Sequence, residues 1–368
     1  MARSDAAPDP DPLMPDIHSL MEACYAQGAS DLHVSVARPP VLRVHGHLVE
    51  IEGQPVLTGA DVEAMVASIT PERNMRELEE LGSTDYGLAH GDKCRFRVSV
   101  LTQKGSRGIV MRQIPQKLLS FEQIGLPDAV RNLLNLHRGL ILVTGPTGSG
   151  KSTTLATMID WINRNRDVHI ITIEDPIEYY HTHHLSQVTQ REVGVDTPTF
   201  AEAMRRALRQ DPDVILLGEM RDLETTSAAI SAAETGHLVF GTLHTTGAAR
   251  TVDRIIDQYP TEQQDQIRAQ LAMSLVAVIS QILIPSADGH GRVAGFEVMI
   301  SNPAIENHIR KTETYKIPSV IQTSRRQGMQ LLDDSLLELY RSGRIRREEA
   351  LERSFDAAAL SAKMGGGA

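Results

Sequence analysis

Eight residues constrain this chain more than any others: Gly145-Pro146-Thr147-Gly148-Ser149-Gly150-Lys151-Ser152. The spacing G-x-x-x-x-G-K-[ST] requires a glycine-rich loop between a buried strand and a helix start. The loop's backbone N–H groups must turn inward, and the helix must present its N-terminus. Both flanks are present. Residues 140–143 form an apolar run, and a helical pattern covers 151–161, with Thr153 in its first turn. By average residue usage, a chance match in a chain of this length is on the order of one percent. The alternative, a glycine-rich turn with an exposed lysine, explains neither flank.

Such a loop cradles phosphate. Inward N–H groups and the helix dipole favour an anion. Lys151 is expected to reach the β- and γ-phosphates, and the Ser152 hydroxyl to ligate Mg²⁺. ATP with Mg²⁺ is therefore the expected ligand pair.

The rest of the chain fits an α/β protein of two domains. Its 368 residues are 41% hydrophobic and 23% charged, enough to bury a core. Residues 1–15 read as a flexible tail and 16–113 as a small N-terminal α/β domain. Within it lie a helix over 17–26, strands over 32–35 and 41–45, and a Thr58/Asp61 cap before a helix over 62–69. Strands over 94–101 and 108–114 flank a turn at 104–106. Two prolines and Gly125 mark 114–127 as a linker. From 128 to 368 the pattern changes. Apolar runs at 139–143, 168–173, 214–217 and 238–240 alternate with amphipathic helices, which indicates a parallel sheet covered on both faces. Thr199 with Glu202 reads as a capping box for a helix to Arg209. The part after Asn302-Pro303 reads as helical, with a stop near Gly343.

Hydrolysis also needs groups that hold metal and orient water. Two strands end in acids: one at Glu174-Asp175-Pro176-Ile177-Glu178, the other at Gly218-Glu219. Strands of one parallel sheet end at the same edge, so both carboxylates are expected beside the nucleotide. His237 and His244 flank the strand at 238–242 and read as phosphate sensors or carboxylate partners. His181, His183 and His184 have no acidic or thiol partner at a telling spacing and read as a solvated loop.

Composition argues against some classes. The net charge of −10 disfavours a broad nucleic-acid-binding face. Cys24 and Cys94 form no C-x-x-C pair, so a cysteine zinc site is not expected. The apolar stretch 271–284 is interrupted by Ser274, Ser280 and Gln281 and is too short to span a bilayer. Met1 to Pro15 has no apolar core and is not expected to be a signal peptide.

Four segments together resemble the type II/IV secretion ATPase family: GPTGSGKST (145–153), TIEDPIEY (172–179), DPDVILLGEMRD (211–222) and TGHLVFGTLHT (235–245). They look like its Walker A, Asp, Walker B and His boxes. SDLH (30–33), RVHG (43–46) and RFRV (95–98) are similar to signatures of its N-terminal domain. GRVAGFEVMISNPAI (291–305) and QTSRRQGMQ (322–330) resemble its type IV pilus retraction branch.

The resemblance implies a PAS-like N-terminal domain and a RecA-like P-loop domain with a helical C-terminal part. It also implies a homo-hexameric ring that hydrolyses ATP to power pilus retraction and twitching motility. Glu174 would orient water and Glu219 would support Mg²⁺. Arg97 and Arg112, with Arg107 as a weaker match, would reach the phosphates. The ring would act in the cytoplasm, peripherally at the inner face of the membrane, on a platform protein there. A second retraction ATPase is a further candidate partner, and no nucleic acid is expected.

One helix departs from the branch pattern: Glu306, His308 and Lys311 stand where it has a base, a leucine and an acid. That keeps an accessory retraction motor open beside the principal one. An extension or export motor is disfavoured by the missing four-cysteine module, and a DNA translocase by the acidic charge.

Overall fold

The computed structural model describes residues 16–44, 46–91, 93–115 and 118–365. The tail expected over 1–15 lies outside them. The chain divides into two compact units between residues 117 and 118.

The first unit holds a six-stranded sheet: β1 (Asp31–Ser35), β2 (Val41–Val44), β3 (His47–Glu50), β4 (Ser83–His90), β5 (Cys94–Gln103) and β6 (Ser106–Pro115). The order is β3-β2-β1-β6-β5-β4, and every pairing is antiparallel. Helices Ile17–Ala26, Gly59–Ile69 and Glu72–Leu81 bury Leu20, Met21, Val62, Val66 and Leu78 in one core with Leu32, Phe96, Val98 and Val100. Alternation along a strand sends Arg97 to the opposite face, where it is exposed. Thr58 and Asp61 form the expected reciprocal cap. The β5–β6 turn is two residues, Lys104 and Gly105, both at positive φ as a type I′ turn requires. Ser106 already belongs to the strand.

Three elements of this unit escape the sequence pattern. All four residues of β3 are exposed, so no alternation marks it. Strand β4 turns Thr84 inward, where it meets Asn74 rather than apolar neighbours. Helix Glu72–Leu81 is dominated by charge and buries only Asn74 and Leu78.

The second unit is built on β7 (Gly139–Thr144), β8 (His169–Glu174), β9 (Gln187–Glu192), β10 (Val214–Leu217), β11 (Leu238–Leu243), β12 (Leu275–Pro285) and β13 (Arg292–Ile300). The order is β13-β12-β7-β11-β10-β8-β9, parallel throughout except for the antiparallel β12–β13 pair. Leu140, Leu142, Ile171, Ile173, Ile215 and Leu217 point into one core. Ile141, Val143, Ile170, Val214, Leu216 and Phe240 point into a second, on the other face. Consecutive residues of one strand thus enter different cores, which is why these strands read as unbroken apolar runs. The result is an α/β fold with a mixed, parallel-rich sheet.

Local differences have local causes. Within 114–127, Ser120 and Gln123 cap a short helix, Phe121–Ile124. Phe121, Ile124 and Leu126 are buried in the second unit's core, so these residues are packed structure, not a free linker. Thr199 accepts from the Glu202 N–H, but the Glu202 carboxylate pairs with Arg205 and Arg206 instead of completing the box. That helix ends at Ala207. Asn302 caps helix Pro303–Arg310 through Ala304 N and Ile305 N, with Pro303 in the first turn. Helices Leu332–Arg341, Arg347–Arg353 and Ala357–Gly365 form a smaller cluster with Ile282, Ile284 and Val293. Among the described residues, no helix is long and apolar enough to cross a membrane.

Candidate functional site

The C-terminal ends of β7, β8, β10 and β11 share one edge of the parallel sheet. Each is followed there by a segment singled out in the sequence. The phosphate loop follows β7, Glu174 ends β8, Glu219 lies two residues past β10, and His244 directly follows β11. Backbone bonds stitch these exits together: Gly145 N to Leu243 O, Gly218 N to Ile173 O, and Met220 N to Thr242 O.

The loop's shape needs its glycines. At Gly145 φ is +143°, and a Cβ would lie 2.1 Å from the Gln281 carbonyl oxygen. At Gly150 φ is +88°, and a Cβ would lie 2.9 Å from Gln281 Nε2. Gln281, on β12, thus sits against the loop, and its Oε1 accepts from Thr154 Oγ1 at 2.7 Å. Helix Lys151–Asn165 starts at Gly150 with no side-chain cap, so its first N–H groups face the loop. Ser149 Oγ is buried without a hydrogen-bond partner among the described residues. Lys151 Nζ donates to Gly145 O at 2.9 Å and Pro146 O at 3.1 Å, so the ammonium lies over the loop. Pro146, Thr147 and Gly148 are exposed. Uncapped N–H groups, an orphaned hydroxyl and a lysine on the loop make a cradle that fits a phosphate chain. Burial pulls the Lys151 pKa below its ordinary value, against the opposing pull of Glu219 and Glu178.

Two side-chain donors meet on one oxygen of Glu174. Thr172 Oγ1 donates to Glu174 Oε1 at 2.6 Å, and Gln190 Nε2 to the same atom at 3.3 Å. Burial pushes the carboxyl up to about 7, although these two bonds and the Glu178 N–H favour the charged form. A carboxylate poised there can accept a proton at neutral pH. Glu174, Ser152, Thr172, Tyr179, His181 and Thr242 line a cavity of ≈ 40 Å³, which has room for water. The Tyr179 hydroxyl shares a 3.0 Å hydrogen bond with Thr153 Oγ1.

Glu219 is held on one oxygen. Arg221 Nε lies 2.6 Å and His244 Nε2 2.9 Å from Oε1. Among the described residues, Oε2 has no hydrogen-bond partner. Burial raises the Glu219 pKa, but the bonds from Arg221 and His244 outweigh it and leave the group below its ordinary value. An ionised carboxylate with one oxygen left over suits a hard cation.

The structure does not bring His237 to this edge. It precedes β11, and its Nδ1 donates to Ala232 O at 3.0 Å. One six-residue strand, roughly 20 Å, separates it from His244. It closes the turn after helix Leu223–Glu234. His183 and His184 are exposed, as read, but His181 is not. Burial drives its pKa down to about 4, so its ring is neutral, and among the described residues Nδ1 has no partner.

Arg97 and Arg112 belong to the first unit. They face each other across β5 and β6, and both are exposed. Arg112 Nε lies 2.9 Å from Asp31 Oδ1. Arg107 is tied to Glu63 at 3.7 Å and to Thr102. Sequence reasoning missed Gln190, Gln281 and Arg221. Only Gln281 carried a signal, as a polar break in an apolar stretch.

A family model described as "Type II/IV secretion system protein" matches residues 6–353. The chain is 48% identical over 339 residues to the Type IV pilus retractation ATPase PilT of Pseudomonas aeruginosa, covering 92% of this chain and 98% of that one. It is 38% identical over 336 residues to the Type IV pilus ATPase PilU of the same organism, covering 91% and 88%. A crystal structure of the pilus retraction motor PilT with bound ADP superposes with a TM-score of 0.87 at 45% identity, over 95% of this chain and 99% of the other.

Proposed function

The chain belongs to the type II/IV secretion system protein family, and from that premise we propose that it is an ATP-hydrolysing motor that powers type IV pilus retraction. One observation carries the reading: a phosphate cradle, two carboxylates and His244 converge on one edge of a parallel sheet. The PilT and PilU relatives and the ADP-bound PilT structure support the same activity.

In this reading ATP lies on residues 145–153. Lys151 leaves the loop carbonyls for the β- and γ-phosphates, and the loop N–H groups take the remaining oxygens. The Ser152 hydroxyl and Glu219 would hold Mg²⁺, which would supply positive charge to the phosphate oxygens. Glu174 orients the attacking water and takes its proton. His244 and Arg221 keep Glu219 aimed and ionised. Arg97 and Arg112 supply positive charge to the phosphates from the first unit, which we assign as a PAS-like domain over 16–113. Residues 128–368 form the RecA-like domain. Nucleotide binding and release drive the cycle of a homo-hexameric ring at the inner face of the cytoplasmic membrane. The ring acts there on a platform protein.

Steady-state ATP turnover tests the site. Lys151→Ala abolishes it, and Glu219→Ala leaves nucleotide binding but stops hydrolysis. Undiminished turnover in Lys151→Ala would overturn the assignment.

A second reading, an accessory retraction motor, draws on helix Pro303–Arg310. Glu306 is paired internally with Arg310 at 3.5 Å, and His308 with Glu313 at 3.1 Å, while Lys311 is exposed. The charges that depart from the branch pattern are therefore partly neutralised in place. Capture of a second ring ATPase by this chain distinguishes the two readings.

A further inference from the structure

Gln190 lies in β9, opposite Thr172 of β8. Its side-chain amide makes three hydrogen bonds. Nε2 donates to Glu174 Oε1 at 3.3 Å and to Tyr179 O at 2.8 Å, while Oε1 accepts from His181 N at 2.7 Å. Only one orientation of the amide satisfies all three bonds. A flip would set its oxygen against a carboxylate and a carbonyl, and its NH₂ against an N–H.

The two side-chain donors on Glu174 Oε1 come from different strands. Thr172 reaches it along β8, and Gln190 reaches it across from β9. One donor leaves a carboxylate free to swing about its terminal torsion, which is broad. Two side-chain donors on one oxygen from different directions restrain that torsion more narrowly than either alone. The same amide holds Tyr179, whose hydroxyl meets Thr153 at the start of helix Lys151–Asn165. A continuous chain of bonds thus links the phosphate loop's helix to the carboxylate.

We propose that Gln190 is the positioning residue for Glu174, holding its carboxylate in the one setting, relative to the phosphate loop, from which it orients water. In this role Gln190 acts through Glu174. The inference rests on the reading of Glu174 given above.

The test is steady-state ATP turnover and ADP affinity of the full chain with Mg²⁺ for Gln190→Leu and Gln190→Glu. Leucine removes both donor and acceptor. Glutamate keeps the acceptor for His181 N but removes the donor. Both lower kcat roughly 10- to 100-fold, the scale of a misplaced reacting group, with KM and ADP affinity within about twofold. In a Glu174→Gln background, Gln190→Leu causes no further loss of residual turnover. If Gln190→Leu fails to bind ADP, Gln190→Glu decides the matter alone.

Full kcat in a variant that binds ADP normally would overturn the proposal. So would equal proportional losses of kcat with and without the Glu174 carboxylate. If Glu174→Gln itself turns over like the parent, the reading of Glu174 falls, and Gln190 has nothing to position.

Discussion

His244 donates from Nε2 to Glu219 Oε1 at 2.9 Å, on the oxygen that Arg221 Nε also meets at 2.6 Å. Two donors from different segments meet on one oxygen, and in the proposed reading the other, Oε2, is the one offered to Mg²⁺. His244→Ala removes one donor. Because an outer-shell partner typically contributes 10- to 100-fold, kcat is expected to fall by about that factor with ADP affinity nearly unchanged. Steady-state kinetics with an ADP titration check this. An unchanged kcat would mean that Arg221 alone suffices.

The pH profile follows from Glu174. Its carboxyl titrates at about 7 because burial disfavours the charge. In its proposed role Glu174 orients water as the carboxylate, so turnover is expected to fall as pH drops through about 7. A profile flat from pH 8 to 6 would contradict the assignment.

The same group has a stability signature. Its folded pKa lies above the ordinary 4.5, so the folded chain holds the proton more tightly than the unfolded one. The associated stability is complete below about 4.5 and is lost as pH rises through about 7. Glu174→Gln removes that loss and keeps an acceptor for Thr172 and Gln190. It is expected to melt higher than the parent at pH 8, by roughly 2–4 °C for each kcal/mol recovered, with no gain near pH 4. Thermal denaturation at the two pH values measures the difference.

Two glycines of the loop make a controlled pair. A Cβ at Gly145 meets backbone, the Gln281 carbonyl at 2.1 Å, and the Ser149 hydroxyl at 2.7 Å. At Gly148 nothing lies within 4 Å, and only its φ of +78° opposes a side chain. Gly145→Ala is therefore expected to cost more than about 3 kcal/mol and to abolish nucleotide binding, and Gly148→Ala about 1–2 kcal/mol. Denaturant unfolding of both variants ranks them.

Both cysteines are buried, and burial pushes Cys24 up to about 12 and Cys94 to about 11. Neither carries appreciable thiolate at pH 8. A thiol titration at that pH is expected to read no reaction in the native protein and two thiols after denaturation.

What the sequence made legible follows the physics of each element. Strands β7, β8, β10 and β11 were readable to within a few residues because both faces are buried and the run is unbroken. Strand β3 was not, because none of its residues is buried. The carboxylates were readable because an acid ending a buried strand stands out. His237 and His244 flank one strand, yet a parallel sheet brings together only one set of strand ends. Gln190 left no mark, since its role lies in bonds to residues 9 to 16 positions away and across two strands. In the sequence His181 reads as one of three loop histidines, and only folding half-buries it.

The central claim is that nucleotide turnover at Lys151 drives retraction of a surface fibre. The direct measurement is to place Lys151→Ala at the native locus of a piliated cell, then count surface pili and follow twitching. The account predicts abundant pili and no twitching, because assembly continues while withdrawal stops. Cells without pili would show that this motor extends the fibre instead, and normal twitching would show that its turnover is not what drives retraction.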